Sequence, residues 1–216
     1  MTDAVVFDLD GVIVDSEPVW EEVRRAYVAD RGGRWLPDTQ RRLMGMSTGE
    51  WSTYLSAELG VDRTPEQVAT EVVDEMARRY ARGVPVIDGS VAVVRRLAGR
   101  WPLGLASSSP TRLIAAALEA TGLTDAFRFS LSTEETARGK PAPDVYLAVA
   151  GRLGVDPARC VAVEDSSNGV RSAAAAGMRV VAVPHAGYPL DPDAERLAAL
   201  VLPMVGELTD AAVEGI

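Results

Sequence analysis

The sequence predicts an α/β fold, a parallel sheet covered by helices on both faces, with one helical block inserted after the first strand. Two observations carry this. Short apolar runs rich in β-branched residues recur along the chain, separated by stretches of helical periodicity with clear start and stop residues. That rhythm is broken once, over residues 16–85, where helical patterns follow one another and no strand-like run intervenes.

The elements follow in chain order. Ala4-Val5-Val6-Phe7 is a short buried strand that stops at Asp8-Leu9-Asp10-Gly11. Helices are expected over 16–30, closed by Gly32-Gly33, over a short stretch before Gly45, over 48–59, closed by Gly60, and over 64–82. The last opens on Thr64-Pro65-Glu66-Gln67, a capping box with proline at the first helical position. Val68, Val72, Met76 and Tyr80 then recur every four residues and define one apolar face. Strands are expected at 103–106, 127–131, 161–163 and 180–183. Ser109-Pro110 supplies an N-cap for a helix over 113–120 that Gly122 ends; Pro143 opens a helix that Gly154 ends; the alanine-rich stretch 166–176 is closed by Gly177. Residues 1–15 and 86–216 therefore form one unit and 16–85 another.

Composition narrows the function. Hydrophobic residues at 47% and charged residues at 25% fit a globular chain and exclude a disordered one. The formal net charge of −9 repels phosphate backbones and anionic headgroups, so neither nucleic acid nor membrane is expected as a partner. Cys160 is the single cysteine, which forbids an internal disulfide, and no apolar run is long enough to span a bilayer. The expectation is a cytoplasmic monomer. Cys160 opens an apolar run and is expected to be a buried small hydrophobe. His185, the single histidine, lies in a proline- and glycine-bearing loop and is expected at the surface; Arg78, Arg79 and Arg82 are expected on a solvated helix face.

Of 22 basic residues 21 are arginine, and the one lysine is Lys140. A chain that uses arginine everywhere else and keeps one ammonium suggests a site that needs its shape. Ligands of open α/β sheets collect beyond the carboxyl ends of the strands. The polar residues there are Asp8 and Asp10, then Ser107, Ser108 and Ser109, then Glu164 and Asp165. Asp8 and Asp10 share a face on extended chain while Leu9 points to the other. Acids this close raise one another's pKa unless a cation lies between them, and a set of hard oxygens without histidine or cysteine selects Mg²⁺. A lone Asp-x-Asp is commonly a solvated turn or a helix cap. Together with a serine, a lysine and a later acid pair it becomes a kit for phosphoryl transfer. Gly139-Lys140 is not a phosphate-binding P-loop, because Glu134 stands five residues before Gly139 and Pro141 follows the lysine.

Four segments, in order, resemble the motifs of the haloacid dehalogenase superfamily: Asp8-Leu9-Asp10-Gly11-Val12, Ser107 after Leu-Gly-Leu-Ala, Lys140 in Gly-Lys-Pro-Ala-Pro-Asp, and Glu164-Asp165-Ser166-Ser167-Asn168-Gly169. The helical insert resembles the cap of the branch that holds β-phosphoglucomutase and sugar-phosphate phosphatases. The resemblance implies a Rossmann-like core with the cap closing over a small phosphorylated metabolite. It implies that Asp8 is the nucleophile that becomes an aspartyl-phosphate, that Asp10 is the acid and base, and that Ser107, the Ser108 N–H and Lys140 hold the phosphoryl oxygens. Mg²⁺ would be held by the Asp8 carboxylate, the Asp10 carbonyl and Asp165, with Glu164 a ligand or a support. A cis bond is expected between Lys140 and Pro141.

Two departures bear on the reaction. Trp20 stands where the mutases carry a histidine, and the segment Gly45-Met46-Ser47-Thr48 lacks the arginine with which they grip a second phosphate. Loss of both favours a Mg²⁺-dependent phosphomonoesterase acting on a sugar phosphate, with a phosphosugar mutase as the alternative. The cap would then hold the far end of the substrate by packing and neutral hydrogen bonds, with Trp20, Thr48 and Trp51 as its candidate residues. Packing is the ordinary role of tryptophan on a helical cap. A receiver-type signalling module would also combine acids, a hydroxyl and a lysine, but it needs no 70-residue helical insert. A dehalogenase would have no use for the metal.

Overall fold

The computed structural model describes residues 1–43, 46–185 and 187–216. In chain order the elements are β1 (Ala4–Phe7), α1 (Glu17–Asp30), α2 (Thr39–Leu43), α3 (Thr48–Ala57), α4 (Pro65–Tyr80), α5 (Ser90–Ala98), β2 (Leu103–Ser107), α6 (Thr111–Thr121), β3 (Phe129–Ser132), α7 (Asp144–Leu153), β4 (Cys160–Glu164), α8 (Ser167–Ala175), β5 (Arg179–Ala182), α9 (Pro192–Glu195), β6 (Leu200–Val201) and α10 (Asp210–Gly215). The six strands form one parallel sheet in the order β3-β2-β1-β4-β5-β6. Strand order reverses beside β1, and the crevice that opens there is the usual ligand site of such sheets.

Strand alternation divides the core in two. Val5, Phe7, Leu103, Leu105, Val161 and Val163 face one side, and the buried residues of α5 and α6 pack on them. Ala4, Val6, Ala106, Cys160 and Ala162 face the other, against α7 and α8. The second side carries small residues, so its helices lie close to the sheet. A Cβ on Gly104 would stand 2.3 Å from Val149 Cγ1 on α7, nearer than any carbon tolerates. Cys160 is fully buried there, and burial pushes its thiol up to about 11. No helix among the described residues is long and apolar enough to cross a membrane.

The inserted helices α1–α4 join the first of these clusters through Trp20, Tyr27, Trp51, Leu55 and the α4 stripe Val68, Val72, Met76 and Tyr80, all buried. The capping box at Thr64 and Gln67 is formed. The insert leaves and returns through paired backbone: Asp15 N–H donates to Pro85 O at 2.9 Å, Ile87 N–H to Ile13 O at 3.0 Å, and Val14 bridges Val86. The N-cap of α6 is Pro110, not Ser109, whose hydroxyl is used elsewhere. The lysine–proline bond 140–141 is cis. Arg78 and Arg79 pair with Glu75 on the solvated face of α4. Gly45, which opens the segment Gly45-Met46-Ser47-Thr48 read above, lies outside the described residues.

Candidate active site

The site is built by register. β1 and β4 pair from Ala4 beside Cys160 to Phe7 beside Val163, and the Asp8 N–H continues the ladder with a 2.9 Å bond to Val163 O. One further step sets Asp8 beside Glu164. Both side chains fall on the face shared by Ala4, Val6 and Ala162, the face that α7 covers. Lys140, in the loop before α7, reaches into this corner. Its ammonium donates to Asp8 Oδ1 at 2.7 Å, Glu164 Oε1 at 2.5 Å and Ala106 O at 3.0 Å. Three acceptors on three adjacent strands take the three N–H bonds of one ammonium, which a planar guanidinium fork cannot reproduce.

Glu164 is fully buried and saturated. Oε1 also accepts the Tyr146 hydroxyl at 2.7 Å, and Oε2 accepts the backbone N–H groups of Asp165 and Ser166 and the Ser166 hydroxyl. Both loops are pressed close: a Cβ on Gly169 would meet the Glu164 carboxylate at 1.9 Å, and one on Gly11, at φ +78°, would meet Asp165 Oδ2 at 1.9 Å.

Charge in this corner is unbalanced. Oxygens of Asp8, Glu164 and Asp165 lie within 4.8 Å of one another, so three carboxylates face one ammonium, a deficit of 3 − 1 = 2 positive charges. Burial pushes the Asp8 carboxyl up to about 8; Lys140 opposes this, while Glu164 and Asp10 add to it. Burial, then the charges of Glu164 and Asp8, hold Asp165 well above the carboxylate range. Burial acts to lower the Lys140 pKa, but Asp8 and Glu164 outweigh it and the net shift is upward. A small divalent cation fits both the deficit and the hard-oxygen donors.

Asp10 lies apart from this cluster. Its carboxylate accepts the hydroxyls of Ser16 at 2.5 Å, Ser109 at 2.7 Å and Ser107 at 3.3 Å. The two aspartates thus stand in different surroundings, one among fixed charges and one among rotatable hydroxyls. Ser107 is fully buried, its Oγ accepting the Ser109 N–H at 2.9 Å, whereas Ser108 is exposed on the cavity wall.

A cavity of about 520 Å³ lies between the strand ends and the inserted helices, with Asp8, Asp10, Lys140 and Asp165 on its floor. Trp20, Thr48 and Trp51 line its other side; both indoles are buried, and the Thr48 hydroxyl is 3.4 Å from Glu134 Oε1 across the cleft. His185 is exposed, as expected, but on the cavity rim, its ring 5.4 Å from that of Tyr188.

Sequence reasoning missed Arg24. It projects from α1 into the same cavity at 5% exposure, its guanidinium carbon 4.3 Å from the Trp20 ring centroid and 5.0 Å from that of Trp51. The cap side of the cavity thus carries a cation beside the packing and neutral hydrogen-bonding groups expected there. A signal was present. Trp20, Val23, Arg24, Tyr27 and Val28 share one helix face, and an arginine in an apolar stripe is out of place unless it has a task. Tyr146 was missed as well, and Ser109, named among the polar residues beyond the strand ends, was given only the role of a helix cap.

A family model described as haloacid dehalogenase-like hydrolase matches residues 2–177. The chain is 34% identical over 187 residues to hexitol phosphatase B of Escherichia coli K12, covering 84% of this chain and 83% of that protein. It is 31% identical over 182 residues to fructose-1-phosphate phosphatase YqaB of the same organism, covering 83% and 95%. Among solved structures, a putative β-phosphoglucomutase from Thermotoga maritima superposes with a TM-score of 0.78 at 29% identity, covering 100% of both chains.

Proposed function

The chain belongs to the haloacid dehalogenase-like hydrolases and is a phosphatase, and from that premise we propose that it hydrolyses a small phosphorylated metabolite, a sugar phosphate, through an aspartyl-phosphate on Asp8. The observation that carries this is the Asp8 carboxylate on the cavity floor with one oxygen held by Lys140. Residues 16–85 form the cap and residues 1–15 with 86–216 the catalytic core. The protein acts as a cytoplasmic monomer.

Asp8 attacks phosphorus and the bond to the leaving oxygen breaks. Asp10 gives that oxygen a proton, then takes one from the water that attacks the phosphoenzyme, and inorganic phosphate leaves. The three hydroxyls around Asp10 can reorient as its proton comes and goes, so no buried ion pair is broken at either step. Lys140 neutralises the phosphoryl oxygens and opposes the effect of burial on Asp8, favouring its ionised form. Ser108 offers its N–H from the cavity wall. The Ser107 hydroxyl, whose 3.3 Å contact with Asp10 is the longest of the three, turns to a phosphoryl oxygen when one is present. Asp8 and Asp165, with the Asp10 carbonyl, would hold Mg²⁺, which when bound supplies the missing positive charge and polarises the phosphoryl group. Glu164 supports Lys140 instead, since both its oxygens are already engaged.

The relatives' names favour sugar and sugar-alcohol phosphates as substrates. The test is phosphate release from a panel of phosphomonoesters with Mg²⁺, with and without chelator. Full activity in chelated buffer would reject the metal, and transfer to another hydroxyl of the sugar in place of water would favour the mutase alternative.

A further inference from the structure

Arg24 is 5% exposed, yet no ion pair or hydrogen bond ties it to any other described residue, and its Nε is buried without a partner. The other cations of the cavity are engaged. Lys140 is held by Asp8 and Glu164, and Arg171 by Asp191 and Asp193. Burying a guanidinium without an anion is unfavourable, and burial draws the Arg24 pKa down to about 10, with Glu17 and Asp10 too distant to pair with it but close enough to favour its charge. It stays cationic at neutral pH. The rings of Trp20 and Trp51 flank the guanidinium carbon, and a ligand in the cavity would meet it through its N–H groups. A fixed fork of this kind matches a carboxylate or a phosphate through two parallel hydrogen bonds.

We propose that Arg24 receives a second anionic group, at the end of the substrate remote from the scissile phosphate, so that the enzyme selects phosphomonoesters carrying a carboxylate or a further phosphate over neutral sugar phosphates. The inference rests on the phosphatase reading of the same cavity and names the substrate class within it. Asp8 and Arg24 lie on one continuous cavity of about 520 Å³, within the range that encloses a small metabolite. The neutral hydroxyls between the two ends meet Glu17, a cavity carboxylate held by the Gln40 amide at 2.8 Å.

The experiment compares kcat/KM for glucose 6-phosphate, 6-phosphogluconate and glucose 1,6-bisphosphate in the wild type, Arg24→Gln and Arg24→Lys, with thermal melting to verify folding. We expect the wild type to favour at least one of the two anion-bearing substrates by about 10- to 100-fold, the scale of a hydrogen bond to a charged group. Preference for the carboxylate or for the bisphosphate identifies which anion the fork takes. In Arg24→Gln that ratio collapses toward one, chiefly through KM; in Arg24→Lys, which keeps the charge and loses the fork, it falls part of the way. If Arg24→Gln does not fold, the lysine variant carries the test with the same readout. Equal kcat/KM for all three substrates in the wild type, or a ratio unchanged in the folded variants, overturns the proposal. Release of phosphate from no phosphomonoester, p-nitrophenyl phosphate included, would instead bring down the phosphatase reading and this inference with it.

Discussion

The Lys140 ammonium lies 2.7 Å from Asp8 Oδ1, and its two remaining hydrogens go to Glu164 and to the Ala106 carbonyl, so one side chain ties β1, β2 and β4 together at their carboxyl ends. Lys140→Arg is therefore not conservative. The guanidinium is flat, and its N–H bonds cannot converge on acceptors spread over three strands. We expect phosphatase activity to fall at least ~100-fold, since the charge is kept but the aim of Asp8 is lost. Lys140→Ala leaves two buried carboxylates uncompensated and should cost about 3–5 kcal/mol in urea unfolding. Wild-type kinetics in the arginine variant would show that charge alone matters here.

Gly169→Ala tests the same corner from its far side. The added methyl would overlap the Glu164 carboxylate at 1.9 Å, and Glu164 has no slack because both oxygens are bonded. Glu164 must move, and Lys140 with it. We expect a destabilisation of about 1–3 kcal/mol, the usual range for overpacking, together with a fall in kcat. A crystal structure of the variant with Glu164 in its original place would contradict this.

Proton binding gives the metal-free protein an unusual pH profile. Asp8 holds its proton up to about 8 in the folded state, whereas in the unfolded chain it loses it near 4. Asp165 is displaced in the same direction. Between these limits the native state binds protons that the unfolded state does not, so stability falls as pH rises from about 4 to about 8. In chelator the melting temperature should decline over that window, by about 2–4 °C for each ~1 kcal/mol lost in a chain of this size. Mg²⁺ should raise it again, more at pH 8 than at pH 5, because the cation and the protons compete for the same oxygens. Asp8→Asn should flatten the profile. A metal-free protein that gains stability toward pH 8 would refute the charge imbalance.

The strand ends were legible in the sequence because buried parallel strands are continuous apolar runs, and the residues after them must face the crevice. α5 escaped notice for the converse reason. Ser90–Ala98 contains Val91, Val93 and Val94, a strand-like composition, and it starts at Gly89 with no side-chain cap. Tertiary packing on the sheet decides the matter there. β6, two residues long, carries too little pattern to read. In the site, Asp8 and Asp165 could be named from their place after the strands and Lys140 as the single lysine, but the roles of Glu164 and Ser109 depend on which partner each atom meets in space. Arg24 was readable in principle from its place in the α1 stripe, although the two indoles that frame it lie 31 residues apart in sequence.

The choice between hydrolysis and mutase chemistry turns on Trp20. A mutase returns the phosphoryl group from Asp8 to a second hydroxyl of a bound bisphosphate, and the cap must keep that intermediate in place and keep water out. In this protein the position that the resemblance assigns to a mutase histidine holds an indole, 6% exposed, packed on Trp51 at 5.9 Å between ring centroids and on Arg24. An indole cannot relay a proton at neutral pH, so it offers no signal by which a sugar hydroxyl rather than water would be made the acceptor. Thr48 stands 3.4 Å from Glu134, and the anion grip proposed for Arg24 would hold a second phosphate without choosing the acceptor. On the proposed mechanism water activated by Asp10 is the acceptor, and a sugar monophosphate should give stoichiometric inorganic phosphate and free sugar, with no more than trace isomerised phosphate. A ³¹P NMR time course on β-glucose 1-phosphate, run with and without glucose 1,6-bisphosphate, measures both products at once. Glucose 6-phosphate appearing well before free phosphate would overturn hydrolysis as the main reaction, while leaving Asp8 as nucleophile and Asp10 as acid and base.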